Sequence, residues 1–157
     1  MTKRPFLRAL AGLTVIATVA GCASTPQPVS VADTVARTPE LSTLASLLQQ
    51  SGLAETLRQT GPYTLFAPTN DAFKAVPAAT MAKLAADKEL LKSTLAFHVV
   101  AGSMKSAEIK AGPAKSVQGA PLALARAGTF VTVEDAVVQT PDLAVSNGVV
   151  HVIDRVL

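Results

Sequence analysis

With 157 residues the chain is long enough for one domain with a substantial core and too short for two. Its formal net charge of +3 belongs to the first residues: Lys3, Arg4 and Arg8 precede the first acid, Asp33, and 14 basic side chains less these three leave 11 against 11 acidic ones. A balanced remainder excludes the broad basic footprint of a nucleic-acid-binding protein.

Lys3, Arg4 and Arg8 form a positive n-region, Ala9 to Ala20 is apolar, and Val19-Ala20-Gly21-Cys22 ends the run with small residues before the only cysteine. This is the layout of a secretory signal peptide over residues 1–21, and with cysteine at this point it resembles a bacterial lipobox. An uncleaved membrane helix would need about 20 apolar residues, and this run is shorter and interrupted by Gly12 and two threonines. Cleavage before Cys22 is expected to leave an acylated N-terminus that holds the protein on a membrane and consumes the single thiol. Ala23, standing where an Asp would retain a lipoprotein, resembles sorting to the outer membrane if the host has two membranes. Residues 22–29, with Ser24, Thr25, Pro26, Gln27 and Pro28, show no periodicity and read as a tether. Fully extended, it reaches about 25 Å, which keeps the following domain close to the lipid.

From Ser30 a short helix, capped by that serine and carrying Val31 and Val35, is expected to end before Pro39. Leu41, Leu44, Leu47 and Leu48 fall at helical spacing over Glu40 to Gln50, with Gly52 as the stop, and Leu53 to Gln59 offers one more helix. Such a leucine stripe is core far more often than partner surface.

Gly61-Pro62 then marks a turn, Tyr63 to Ala67 is a β-rich apolar run, and Pro68 ends it where Thr69-Asn70-Asp71 supply capping chemistry for a helix. Thr69 or Asn70 is expected to accept helix-start amides, Asp71 to complement the helix dipole, and Phe73 to face the core. Helical stretches over Ala78 to Ala86 and Asp87 to Ala96 put Lys83, Lys88 and Lys92 on wet faces. Phe97-His98-Val99-Val100 reads as a buried strand closed by Ala101-Gly102.

Beyond Gly112-Pro113, short strands are expected at Ser116 to Val117, Leu122 to Ala125, Thr129 to Val133 and Ala136 to Gln139. Asn147-Gly148 signals a hairpin between Leu143 to Val145 and Val149 to Ile153. The last strand is apolar on both faces, so it belongs at the sheet centre beside Tyr63 to Ala67. Helices first and strands later give an α+β domain.

Three segments, Gly61 to Phe73, Phe97 to Val100 and Asn147 to Leu157, resemble in order and spacing the fasciclin (FAS1) domain family, over about Ser30 to Leu157. The resemblance implies a wedge-like β-sandwich with a cluster of N-terminal and central helices, as one domain over residues 30–157. Its motif residues Thr69, Asn70, Asp71, Phe73, Asn147, Gly148 and His151 are then determinants of the fold. A Tyr-His pair linked to receptor binding in some animal members corresponds here to Phe97-His98, without the phenol hydroxyl. It makes Phe97, His98 and Val99 the candidate binding surface. The residues themselves favour another role for His98 and His151: buried imidazoles satisfied by local partners.

No nucleophile elbow, phosphate loop, dinucleotide fingerprint or zinc-protease motif is present, and nothing aligns a nucleophile with a base. No enzyme activity, cofactor or metal is expected. The leader and the resemblance together imply a membrane-tethered, non-enzymatic domain mediating cell adhesion or protein/matrix interaction at the bacterial envelope. Its partners would be the membrane through Cys22 and a protein or matrix polysaccharide. The alternative is a periplasm-facing binding module for a small ligand or an envelope protein.

Overall fold

The helical signals at the start of the domain fold as read. The computed structural model describes residues 29–59 and 61–157; Cys22, the leader and the tether before Val29 lie outside the described residues. Ser30 caps helix α1 (Val31–Arg37): its hydroxyl accepts the Asp33 amide at 3.2 Å and donates to the Asp33 carboxylate at 2.7 Å. A 3-10 turn (Pro39–Leu41) leads into α2 (Ser42–Ser51), and Gly52, at φ 75°, turns the chain into α3 (Leu53–Arg58). That left-handed φ is strained for any residue with a Cβ. Leu41, Leu44, Leu48 and Leu57 are buried in one cluster against the sheet, so the stripe is core.

Strand β1 (Tyr63–Pro68) is followed by α4 (Asn70–Ala75), α5 (Ala78–Ala86) and α6 (Lys88–Phe97). Lys83, Lys88 and Lys92 are exposed on these helices. The remaining strands are β2 (Val99–Ala101), β3 (Gly112–Lys115), β4 (Pro121–Ala127), β5 (Phe130–Val133), β6 (Ala136–Val145) and β7 (Gly148–Ile153). They form a seven-stranded sheet in the order β2-β1-β7-β6-β5-β4-β3. Its one parallel pair is β1 with β7, in register from Tyr63 opposite Gly148 to Pro68 opposite Ile153. Both strands are buried on both faces, which is why each reads as a continuous apolar run. Leu65, Ala67, Val150 and Val152 face the helices; Phe66 and Ile153 face a second core with Leu122, Val131 and Val133.

The sheet bends until its two ends meet. Val100 bridges Ser116, and the Val117 amide donates to the Val99 carbonyl at 2.7 Å. The α+β wedge is therefore borne out, and its two layers are halves of one continuous sheet around the second core.

Three strand boundaries differ from the sequence reading. Phe97 and His98 are not strand: Phe97 ends α6, His98 is its cap with αR backbone, and only Val99–Ala101 pairs with β1. The strand expected at Ser116 to Val117 lies earlier: Ser116 makes a single bridge and Val117 is turn, while Gly112-Pro113 starts edge strand β3, where a residue without an amide proton is tolerated. The segments 136–139 and 143–145 are one strand, β6, whose register shifts between Val138 and Leu143. Pro141 sits in that irregular stretch, where no ladder donor is needed.

Candidate functional site

The capping segment does more than start a helix. Thr69 is the N-cap of α4, its hydroxyl accepting the Ala72 amide at 3.2 Å, and Phe73 packs into the helix-side core. Thr69→Ala is expected to cost about 1 kcal/mol in a urea melt, the usual worth of a lost cap. Asp71 is exposed in the first turn and pairs with Lys74 at 2.8 Å. Of the two alternatives, Thr69 is the cap, and Asn70 does not bond the amides of α4. Its Oδ1 accepts the Thr43 amide at 3.0 Å and its Nδ2 donates to the Pro39 carbonyl at 2.9 Å. It thus satisfies the start of α2, which has no side-chain cap of its own, from another helix.

Asn147 has the same design at the opposite end of the sheet. The two-residue turn is Ser146-Asn147 rather than Asn147-Gly148, because Gly148 already pairs with Val145 and lies opposite Tyr63. The Asn147 side chain accepts the Val31 amide at 2.9 Å and donates to the carbonyls of Leu57 at 2.7 Å and Gln59 at 3.0 Å. It pins the start of α1 and the end of α3 to the β6–β7 hairpin, a role that turn geometry alone did not disclose.

His98 is fully buried, and Val99 with it, so these two present no surface; of the candidate triad only Phe97 is partly exposed. The reason is the helix end. The His98 Nδ1–H donates to the Thr94 carbonyl at 2.8 Å, one turn back, and its Nε2 accepts the Leu157 amide at 3.0 Å. A carbonyl can only accept and an amide can only donate, so the neutral Nδ1–H tautomer is fixed. Burial drives the imidazole down to about 4, against the raising effect of the Thr94 bond.

His151 is also buried and stacks on Phe66, ring centroids 5.5 Å apart. Its Nε2–H donates to the Met104 carbonyl at 2.8 Å, and its Nδ1 accepts the Asp142 amide at 3.3 Å. Burial lowers its pKa, with the Met104 bond and the Asp142 charge opposing. Asp142, at φ 58°, accepts the Ser106 amide at 2.7 Å and the Ser106 hydroxyl. Burial raises its carboxyl, but the two Ser106 bonds together with the charges of His151 and Lys105 hold it below the usual range. The Thr64 hydroxyl donates to Gly102 at 2.6 Å and accepts the Met104 amide at 2.9 Å. Thr64, His151 and Asp142 together hold the segment 102–111 on the sheet.

Neither imidazole has a nitrogen left for chemistry, and Asp71 is engaged by Lys74 away from both. Among the described residues no three His, Cys, Asp or Glu side chains converge as a metal site would require. What remains accessible is surface. A cleft of about 920 Å³ opens between β2 and β3, floored by Val100, Met104 and Leu124. On the outer face of β4, β5 and β6, Ala125 lies opposite Thr132, Thr132 opposite Val137, and Ala127 opposite Phe130. Phe130 is 68% exposed, and no charged side chain occurs in these rows.

The fasciclin domain profile matches residues 39–157. The chain belongs to the fasciclin domain family. Among relatives of this fasciclin domain, protein sll1483 of Synechocystis is 37% identical over 137 residues, covering 86% of this chain and 76% of its own. The cell surface glycolipoprotein MPB83 of Mycobacterium bovis is 39% identical over 144 residues, covering 88% of this chain and 63% of its own. A FAS1 domain pair from the insect cell adhesion molecule Fasciclin I matches with a TM-score of 0.65 and 16% identity, over 82% of this chain and 50% of that one. At that identity the last match speaks for the fold alone.

In this fasciclin domain the residues that reasoning from sequence missed are Thr64, Thr94, Ser106 and Asp142. Thr64 is hidden in an apolar run, and Ser106 and Asp142 meet across 36 residues of chain. Only the Thr94–His98 spacing of four carried a signal, a helix-period contact that placed His98 on α6.

Proposed function

We propose that this fasciclin domain is a membrane-tethered, non-enzymatic module for adhesion or protein/matrix contact at a bacterial envelope. The observation that carries the reading is the uncharged pair of cross-strand rows, Ala125-Thr132-Val137 and Ala127-Phe130, on the outer face of β4–β6, with Phe130 at its edge. An exposed apolar patch of this kind is what an interaction surface needs and what a free-standing domain otherwise avoids. One relative supports it: MPB83 of Mycobacterium bovis is a cell surface glycolipoprotein. Lipid attachment at Cys22 would add high local concentration, so that weak contacts suffice.

Two substitutions test the two halves of the reading. Cys22→Ser is expected to move the exported protein from the membrane fraction to the soluble one; retention through detergent-free washing would refute the anchor. Phe130→Ser, in a deletion strain re-supplied at matched protein levels, is expected to reduce surface attachment and cell–cell aggregation to the deletion level with an unchanged thermal midpoint. Full attachment by that variant would remove the outer face from the mechanism.

A further inference from the structure

We infer that the cleft between β2 and β3 is a binding site for a single-chain anionic amphiphile, a long-chain fatty acid. The two ends of the bent sheet meet where Val99 and Val100 face Ser116 and Val117, and leave a cleft of about 920 Å³ toward Ala101 and Gly112. That size is at the upper end for a small-molecule site, far larger than any ion needs. Its floor is the edge of the second core: Val100 and Leu124 lie buried beneath it, Met104 is half-buried, and Val117 at the wall is 44% exposed.

The charge at the rim selects the ligand. Lys110 and Lys115 both line the cleft, and among the described residues neither forms an ion pair or a side-chain hydrogen bond. Glu108, the acid at the same rim, turns its carboxylate onto the Lys105 amide at 3.3 Å. An apolar floor with two unpaired ammonium groups above it complements an alkyl chain ending in a carboxylate. An inserted peptide strand fits less well, because β3 presents Pro113 and Lys115, features that discourage edge pairing.

The topology also puts the cleft where such a ligand would arrive. The strand directions bring Tyr63, the segment 102–111 and the Ser146-Asn147 turn to one end of the sheet. Val29, where the tether joins the domain, is fixed at that end by the Ser146 amide at 3.0 Å. Delivery from a membrane rests on the lipid-anchor reading; the cleft and its lysines do not.

The test uses the exported Cys22→Ser chain, purified without detergent, with palmitate displacing a fluorescent fatty-acid probe. Saturable binding of one palmitate per chain is expected. Lys110→Glu with Lys115→Glu, both at exposed positions, should weaken it about tenfold or more, and methyl palmitate should be weaker by a similar factor. Leu90→Gln, an exposed apolar position on α6, should leave affinity unchanged. Absence of saturable binding would overturn the proposal. So would equal affinity for palmitate and its methyl ester, or an undiminished affinity in the double lysine variant. If the chain instead captures extended peptides in competition with the probe, the site is a strand acceptor and the fatty-acid assignment is wrong. Because no membrane or attachment assay enters, these outcomes are independent of the adhesion reading.

Discussion

Gly148→Ala is expected to unfold the domain. A Cβ built on Gly148 lies 1.8 Å from the Tyr63 carbonyl oxygen, 2.8 Å from its carbon and 2.9 Å from its nitrogen. All three atoms are backbone, so no rotamer change relieves the contact. The only relief is to move β1 away from β7, and that pair is the central, doubly buried part of the sheet. Overpacking ordinarily costs about 1–3 kcal/mol. Here the cost should exceed about 4 kcal/mol, a large part of the roughly 5–15 kcal/mol that holds a domain folded. A matched control is Gly119→Ala in the β3–β4 turn, where φ is 105° and nothing lies within 4 Å of the added carbon. That variant should lose only the backbone strain, about 1–2 kcal/mol. Equal losses in the two urea melts would show that close approach at Tyr63 is not what requires glycine at 148.

Acidification should destabilise the protein well before its carboxylates titrate. His98 is neutral in the fold with a pKa of about 4, whereas its unfolded value is the ordinary 6.5. The unfolded chain therefore takes up a proton first. Stability is fully present above about pH 6.5, falls as the pH drops toward 4, and levels off below that. The difference corresponds to about 3 kcal/mol from this one side chain, since it is fully buried and solvent does not screen it. His151 shifts in the same direction and steepens the loss. His98→Gln should be less stable at neutral pH because the Leu157 amide loses its acceptor, yet its stability should vary less between about pH 7 and pH 4. An unchanged slope in that variant would mean that the acid sensitivity arises elsewhere.

The parts of the fold that were legible in the sequence are those encoded by neighbours. The α2 stripe, the Gly52 stop, the Thr69 cap and the apolar runs of β1 and β7 each depend on periodicity or capping within a few residues. The strand misplaced at Phe97-His98 failed for a physical reason. Phe-His-Val-Val suits either state, and the bond from His98 to Thr94 favours the helix by finishing its last turn. β3 was missed because Gly112 and Pro113 are breakers in most settings, and only the free edge tolerates them. The candidate site was less legible still. Asn70 reaches back 27 to 31 residues and Asn147 reaches 88 to 116, and no local pattern encodes such partners. The cleft likewise exists because the two ends of a bent sheet meet over only a short stretch, a property of the whole strand order.

The parallel pairing of β1 with β7 has a consequence for the life of the chain. Tyr63 finds its neighbour Gly148 about 85 residues later, and β7 is the last strand in chain order. Until it arrives, β1 has only three-residue β2 beside it, and half of its ladder and one flank of each core are missing. Folding therefore waits on synthesis rather than accompanying it, as expected where contacts are so distant along the chain. A chain that stays open until this strand emerges remains threadable, which would suit the export that the proposed function requires.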